Sequence, residues 1–275
     1  MNIFDEPKID FHNHLFDPAR FPYHPAAPYA PSGQEVATFE QFSLLMDAYG
    51  VRHALLVGPN SGYHTDNRCL LHALAAGHGR LRGVAVVEPD IGIDQLAALQ
   101  QQGVVGVAFN PALYGVEVMQ GAQACLGKLA ELGMFAQVQV CEDQLLHLQG
   151  LLERSPVRVL IDHCGRPDVR AGLQQSGFQA LLKLASCGRV SVKLSGMQKF
   201  AASEDLLGQS RAYVQALIAA FGADACVWGS DWPFIRQRSR VDYGPLLKLA
   251  EQLMPDPQLR RKIMWDTPRR LFGFS

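Results

Sequence analysis

The stretch KIDFHNHLFDP, residues 8–18, decides the fold. Its first half alternates apolar and polar residues as a short strand does. It then passes into HNHLFDP, where an open, doubly wound sheet would carry its glycine-rich phosphate loop. That loop is absent, so the reading turns on how many strands follow. Seven more short apolar runs stand at HALLVG (53–58), LRGVAVVE (81–88), VVGVAFN (104–110), MFAQVQV (134–140), VRVLIDH (157–163), RVSVKLSG (189–196) and CVWGSD (226–231). Between them, helical period is read over 39–49, 66–77, 93–102, 117–132, 143–154, 178–187, 204–220 and 243–254. Eight strand–helix units in 275 residues predict an α/β fold closed as a (β/α)8 TIM-type barrel. With no internal repeat or low-complexity linker, one domain is expected over 1–275, and an open sheet is the structural alternative.

Composition excludes several classes of function. Basic and acidic side chains number 25 and 26, and no run of like charge stands out, so neither nucleic acid nor a membrane surface is an expected partner. No signal-like or membrane-spanning apolar stretch is found, and a cytoplasmic protein is expected. The six cysteines lack CxxC spacing and read as reduced core thiols rather than disulfides or a cysteine zinc cluster. A homo-oligomer is left open.

In a barrel of this kind the carboxyl ends of the strands converge on one mouth. His12 and His14 lie two apart on the first strand, on one face by alternation. His163 ends the sixth strand in VLIDHCGRPD, and Asp231 ends the eighth in VWGSDWP. A lone strand histidine is more often a hydrogen-bonded core residue, and His53, His64, His72, His78 and His147 are read that way. Asp162, next to His163, is expected to face the other way and anchor a helix or an arginine. A serine or cysteine nucleophile is disfavoured: there is no GxSxG elbow, and neighbours on a strand cannot face each other.

The segments DFHNHLFDP, GPNSGYHTDN, GVAFN, VLIDHCGRPD, VKLSG and VWGSDWP, in this order, resemble the amidohydrolase superfamily. The finer likeness is to its lactonase group, which contains 2-pyrone-4,6-dicarboxylate hydrolase. The resemblance implies a hydrolase that opens a cyclic ester, with catalysis that proceeds without metal even where HxH is present. Lactone opening needs an activated water, a polarised carbonyl and a proton for the departing ring oxygen. Asp231 is expected as general base and then acid, with His12, His14 and His163 polarising the carbonyl. No metal is taken as obligatory. A divalent ion such as zinc nevertheless has a ligand set in His12, His14, His163 and Asp231. A metal-dependent decarboxylase of the superfamily is the alternative enzyme, and a metabolite-binding barrel without turnover the alternative from another class.

Expected substrate contacts are Ser61, Tyr63, Asn110, Ser195, Lys199 and Arg236, with Lys193 read equally as a partner for Asp162. The proline-rich loop over 17–33 is expected to cover the mouth as a lid. The 2-pyrone-4,6-dicarboxylate hydrolases carry arginines at the fourth-strand exit and after KLSG. This chain has Ala108 at the first place and only Lys199 at the second, with Arg236 and Arg238 further on. A sugar lactone or a singly charged, muconolactone-like ester fits that sparser charge better.

Overall fold

The computed structural model describes residues 2–237 and 239–274. Eight strands, β1 (Lys8–Asn13), β2 (Val51–Val57), β3 (Leu81–Ala85), β4 (Val104–Phe109), β5 (Phe135–Val138), β6 (Arg158–Ile161), β7 (Val190–Leu194) and β8 (Cys226–Trp228), lie in sequence order. Each pairs in parallel with the next. The seam between β8 and β1 closes just past the strand ends. There Asp231 N–H donates to the His12 carbonyl at 2.7 Å and His14 N–H to that of Trp232 at 2.8 Å. The result is a (β/α)8 barrel.

Strands sandwiched between a filled interior and a ring of helices must be apolar on both faces, which is why β5 and β7 are buried along their whole length. The helices show the complementary pattern. Ser176–Leu184 turns Phe178, Leu181 and Leu184 inward at three-residue spacing, and Thr38 opens Phe39–Ala48 with a capping box to Gln41. The helix expected over 117–132 is broken into a 3-10 turn, Val116–Met119, and a helix, Gln123–Glu131, with Gly121 between them.

Within the barrel, Ile9, Phe11, Leu55, Val84, Leu160 and Val227 form an interior core with Phe272 and Phe274. The Phe272 ring lies 4.4 Å from Phe11 and 4.3 Å from Phe135. Around it, Arg82 and Arg158 donate to the carbonyls of Gly273 and Leu271 from the starts of β3 and β6. The chain end, through Pro257–Arg261, a π-helical turn at Lys262–Asp266 and Thr267–Phe272, thus plugs the amino end of the barrel.

Strand β1 is irregular where it matters. Asp10 pairs with Ala54 but Asn13 with Leu56, so β1 carries one extra residue. A bulge re-aims side chains. Phe11 packs on Phe272 and the next residue, His12, also reaches the interior, where its ring lies 4.3 Å from that of His163.

Candidate active site

Four groups meet at the carboxyl end of the barrel. Asp231 Oδ1 lies 3.7 Å from His12 Nε2, 4.0 Å from His14 Nε2 and 3.7 Å from His163 Nε2. The two nitrogens of the HxH pair are 3.2 Å apart. All four residues are buried, and Asp231 Oδ1 has no hydrogen-bond partner among the described residues.

Local backbone makes this convergence. β6 stops at Ile161, and His163, Cys164, Gly165 and Arg166 take the left-handed region at φ 52°, 56°, 74° and 45°. Asp231 does so at 66°. Such residues are held by their surroundings. For Asp231 the holder is Asp10, whose buried carboxylate accepts from Ser230 N–H at 2.8 Å, Ser230 Oγ at 2.6 Å and Tyr243 OH at 3.0 Å. Ser230 Oγ in turn accepts the Trp232 N–H, so the peptides on both sides of Asp231 are pinned. Two motif glycines are there for room. A Cβ at Gly196 of VKLSG would strike the His163 ring, and one at Gly229 of WGSD would stand 2.6 Å from the His12 nitrogen.

Asp162 corrects the expectation from alternation. Because the strand has already ended, Asp162 and His163 both turn inward. Asp162 Oδ1 lies 3.1 Å from Lys193 Nζ and 3.4 Å from His12 Nδ1, and its Oδ2 accepts from Gln137 Nε2 at 2.9 Å. Lys193, fully buried, donates to Gln137 Oε1 at 2.6 Å and lies 3.1 Å from His12 Nδ1. It is therefore the ion partner of Asp162 and no part of the cavity wall.

The proton positions follow from the partners. His14 Nδ1 lies 2.8 Å from the Val57 carbonyl, which can only accept, so a neutral His14 carries its proton there and presents a lone pair at Nε2. The contact between the two Nε2 atoms then requires His12 to donate, leaving its Nδ1 to accept from Lys193. Burial drives the imidazolium forms of His12 and His163 well below the ordinary histidine range, and His14 below it also. Burial likewise lowers Lys193, opposed by Asp162, and raises Asp10, opposed by the Ser230 hydrogen bonds.

Above the cluster opens a cavity of about 960 Å³, lined among others by His14, His163 and Asp231. Of the expected contacts, Ser61, Asn110, Lys199 and Arg236 line it. Lys199 Nζ sits 3.0 Å from Asp231 Oδ2, and the exposed Arg236 lies over the Tyr29 ring. Two expectations are corrected. Ser195 is fully buried and lies 3.1 Å from His163 Nδ1, so it holds the imidazole. Tyr63 is buried behind the wall, where it stacks near Phe16 and accepts the Asp17 N–H at 2.8 Å. The loop over 17–33 is held by Tyr63 and by paired backbone bonds to Gly62, from His24 and to Tyr29. Among the described residues none of this loop lines the cavity, so it packs behind the lining Ser61 and Arg236 and is not a lid. Arg238 lies outside the described residues. Gln198, which donates to Asp231 Oδ2 at 3.2 Å, and the cavity-lining Arg166 escaped the sequence reading. The HCGRPD motif holds the one signal for Arg166, an arginine three residues past His163.

Nitrogen and oxygen ligands about 2.1 Å from a tetrahedral ion stand roughly 3.4 Å apart. The spacings of 3.2 to 4.0 Å among His12, His14 and Asp231, and the unpartnered Asp231 Oδ1, fit a divalent ion. His163 offers a fourth nitrogen beside the same oxygen. To serve, His12 would have to free Nε2 by moving its proton to Nδ1, against Lys193.

The family model described as amidohydrolase matches residues 9–274. The 4-sulfomuconolactone hydrolase of Rhizobium radiobacter is 32% identical over 272 residues, which cover 96% of this chain and 89% of that protein. A solved structure from Pseudomonas putida, assigned as a 2-pyrone-4,6-dicarboxylic acid hydrolase, is 33% identical with a TM-score of 0.85, covering 100% of this chain and 99% of that one. An amidohydrolase of Burkholderia multivorans solved with bound zinc has a TM-score of 0.76 over 98% of this chain and 100% of its own. At 20% identity that likeness is one of fold. With the barrel, the strand-end cluster and the match over nearly its whole length, this chain belongs to the amidohydrolase family.

Proposed function

We propose that the chain hydrolyses a lactone, with Asp231 as the proton carrier. The observation that carries the reading is the unpartnered, buried Asp231 oxygen at the floor of a large polar cavity, ringed by three imidazoles that burial keeps neutral. In this reading water attacks the ring carbonyl while Asp231 takes its proton. His163 donates to the developing oxyanion from Nε2, and the His12 Nε2 proton, held by the Nε2 lone pair of His14 in the free site, turns to it as well. As the ring C–O bond breaks, Asp231 returns the proton to the departing oxygen, giving an open hydroxy acid. Ser195 fixes the His163 ring, while Lys199 offsets the Asp231 charge before the carboxylate takes the proton and again after it gives it up. Ser61, Asn110 and Arg236 contact the substrate further out.

His12, His14, His163 and Asp231 are also the residues that would hold a divalent ion, which when bound supplies Lewis acidity to the carbonyl or lowers the pKa of water. The buried Lys193 ammonium beside His12 and the half-buried Lys199 ammonium beside Asp231 favour the metal-free route. The free cysteines suit a reducing cytoplasm. Among the described residues no helix is long and apolar enough to cross a membrane.

The test is proton release from a panel of sugar, muconolactone-like and pyrone lactones, before and after exhaustive chelation. Turnover of at least one lactone that survives chelation is expected. A chain that opens none of them, with the metal restored or not, contradicts the reading. Loss on chelation with recovery on adding zinc would move the chemistry to the ion.

A further inference from the structure

The cations that line the cavity are not equivalent. Lys199 is taken by Asp231 at 3.0 Å. Arg170 is held two-pronged by Asp168 at 2.9 and 2.8 Å, and Arg236 is exposed over Tyr29. Arg166 differs from all three. It is half-buried, its Nε is shut off from solvent without a hydrogen-bond partner, and no carboxylate pairs with it among the described residues. Such a guanidinium is costly to keep unless something outside the chain completes it.

Its backbone is built to hold it there. Arg166 stands in the left-handed region at φ 45°, its N–H donates to the His163 carbonyl at 2.8 Å, and its own carbonyl accepts the Glu142 N–H at 2.9 Å. The turn that swings His163 into the reacting cluster therefore also fixes the arginine three residues on. The two side chains are near enough that the Arg166 charge helps to disfavour the His163 imidazolium.

We propose that Arg166 binds a carboxylate carried by the lactone, and that the substrate carries one such group; this rests on the lactone-hydrolase reading. The planar fork of a guanidinium matches a carboxylate two-pronged, and a partly dry wall strengthens the pair. One group is the limit because the rest of the lining is not cationic enough for two. Asp162, Asp168, Glu204 and Asp231 all face the same cavity, and the other cations are paired or exposed. The substrate is thus a monocarboxylated lactone whose acid group lies on the β6 side of the mouth.

A matched pair of probes isolates the anchor: 5-oxotetrahydrofuran-2-carboxylate and its carboxamide, with the natural-sequence protein, Arg166→Gln and Arg166→Lys. The unaltered protein should favour the acid by about 10²-fold in kcat/KM, mostly through KM. Arg166→Gln should bring the two within about threefold, through a loss on the acid far larger than any change on the amide, and Arg166→Lys should fall between. Discrimination that survives in Arg166→Gln, or equal rates in the unaltered protein, overturns the proposal while the lactonase reading stands. If neither probe is opened, calorimetry reads the anchor without turnover. Binding of the acid over the amide that is lost in Arg166→Gln supports the proposal, and no such preference overturns it. Failure of every lactone in the wider panel is a different result and bears on the lactonase reading itself.

Discussion

At the amino end of the barrel, Phe272 and Phe274 fill the lumen against Phe11 and Phe135. At the carboxyl end, one residue further along β1, the same lumen holds Lys193, Asp162, Gln137 and three histidines. The aromatic end lowers free energy by burying apolar surface. The polar end spends some of it, since each buried ion must be desolvated and then compensated by fixed partners. The bulge in β1 is where one regime gives way to the other. What the contrast teaches is that stability and chemistry are assigned to opposite ends of one sheet, so a substitution should damage one and spare the other.

The sharpest way to break that division is Phe272→Ala. Loss of this ring should cost about 3–5 kcal/mol of unfolding free energy, read from denaturant midpoints. The kcat of the remaining folded enzyme should be unchanged, and a fall in kcat at full stability would show that the plug reaches the chemistry. Next is Lys193→Met, which strands the Asp162 charge and should cost about 3 kcal/mol. Adding Asp162→Leu should regain most of that stability but not the rate. If the double variant is as unstable as the single, the pair is not the liability argued here.

Acid sharpens the comparison further. The three mouth imidazoles have lowered pKa values when folded, so below about pH 6.5 the unfolded chain binds protons that the folded chain refuses. Stability should therefore fall as pH drops through that window, by up to about 1.4 kcal/mol per unit for each imidazole. With chelator present, His163→Asn should flatten the slope, and an unaltered slope would place the acid sensitivity elsewhere. The smallest expected effect is at Tyr63→Phe, which removes the acceptor for Asp17 and should cost about 1 kcal/mol. KM should not move, whereas a raised KM would return Tyr63 to the substrate.

The same division explains what could be read from the sequence. Eight buried, β-branched runs announce eight strands because a barrel strand is covered on both faces, and HxH and GSD stand at strand ends where catalysis sits. Asp162 departs from the alternating pattern because alternation holds only within a strand, and β6 ends one residue before it. Ser195 and Tyr63 stand in suggestive motifs, yet which side chain a polar residue serves depends on turns at His163 and Gly62 that pattern does not reveal. The chain-end plug is not legible in the sequence, since its short helices and π-helical turn carry no sustained period. Nothing in the spacing told that Asp10 would staple β1 to Ser230 across the seam.

The claim on which the account depends most is that Asp231 moves the proton, and Asp231→Asn tests it on any lactone the protein opens. The amide keeps the shape of the carboxylate but cannot take a proton from water at neutral pH. The account predicts that kcat falls by about 10²- to 10⁴-fold while the unfolding midpoint stays close to that of the unaltered protein. Near-normal turnover by Asp231→Asn would contradict it and hand the role to His163.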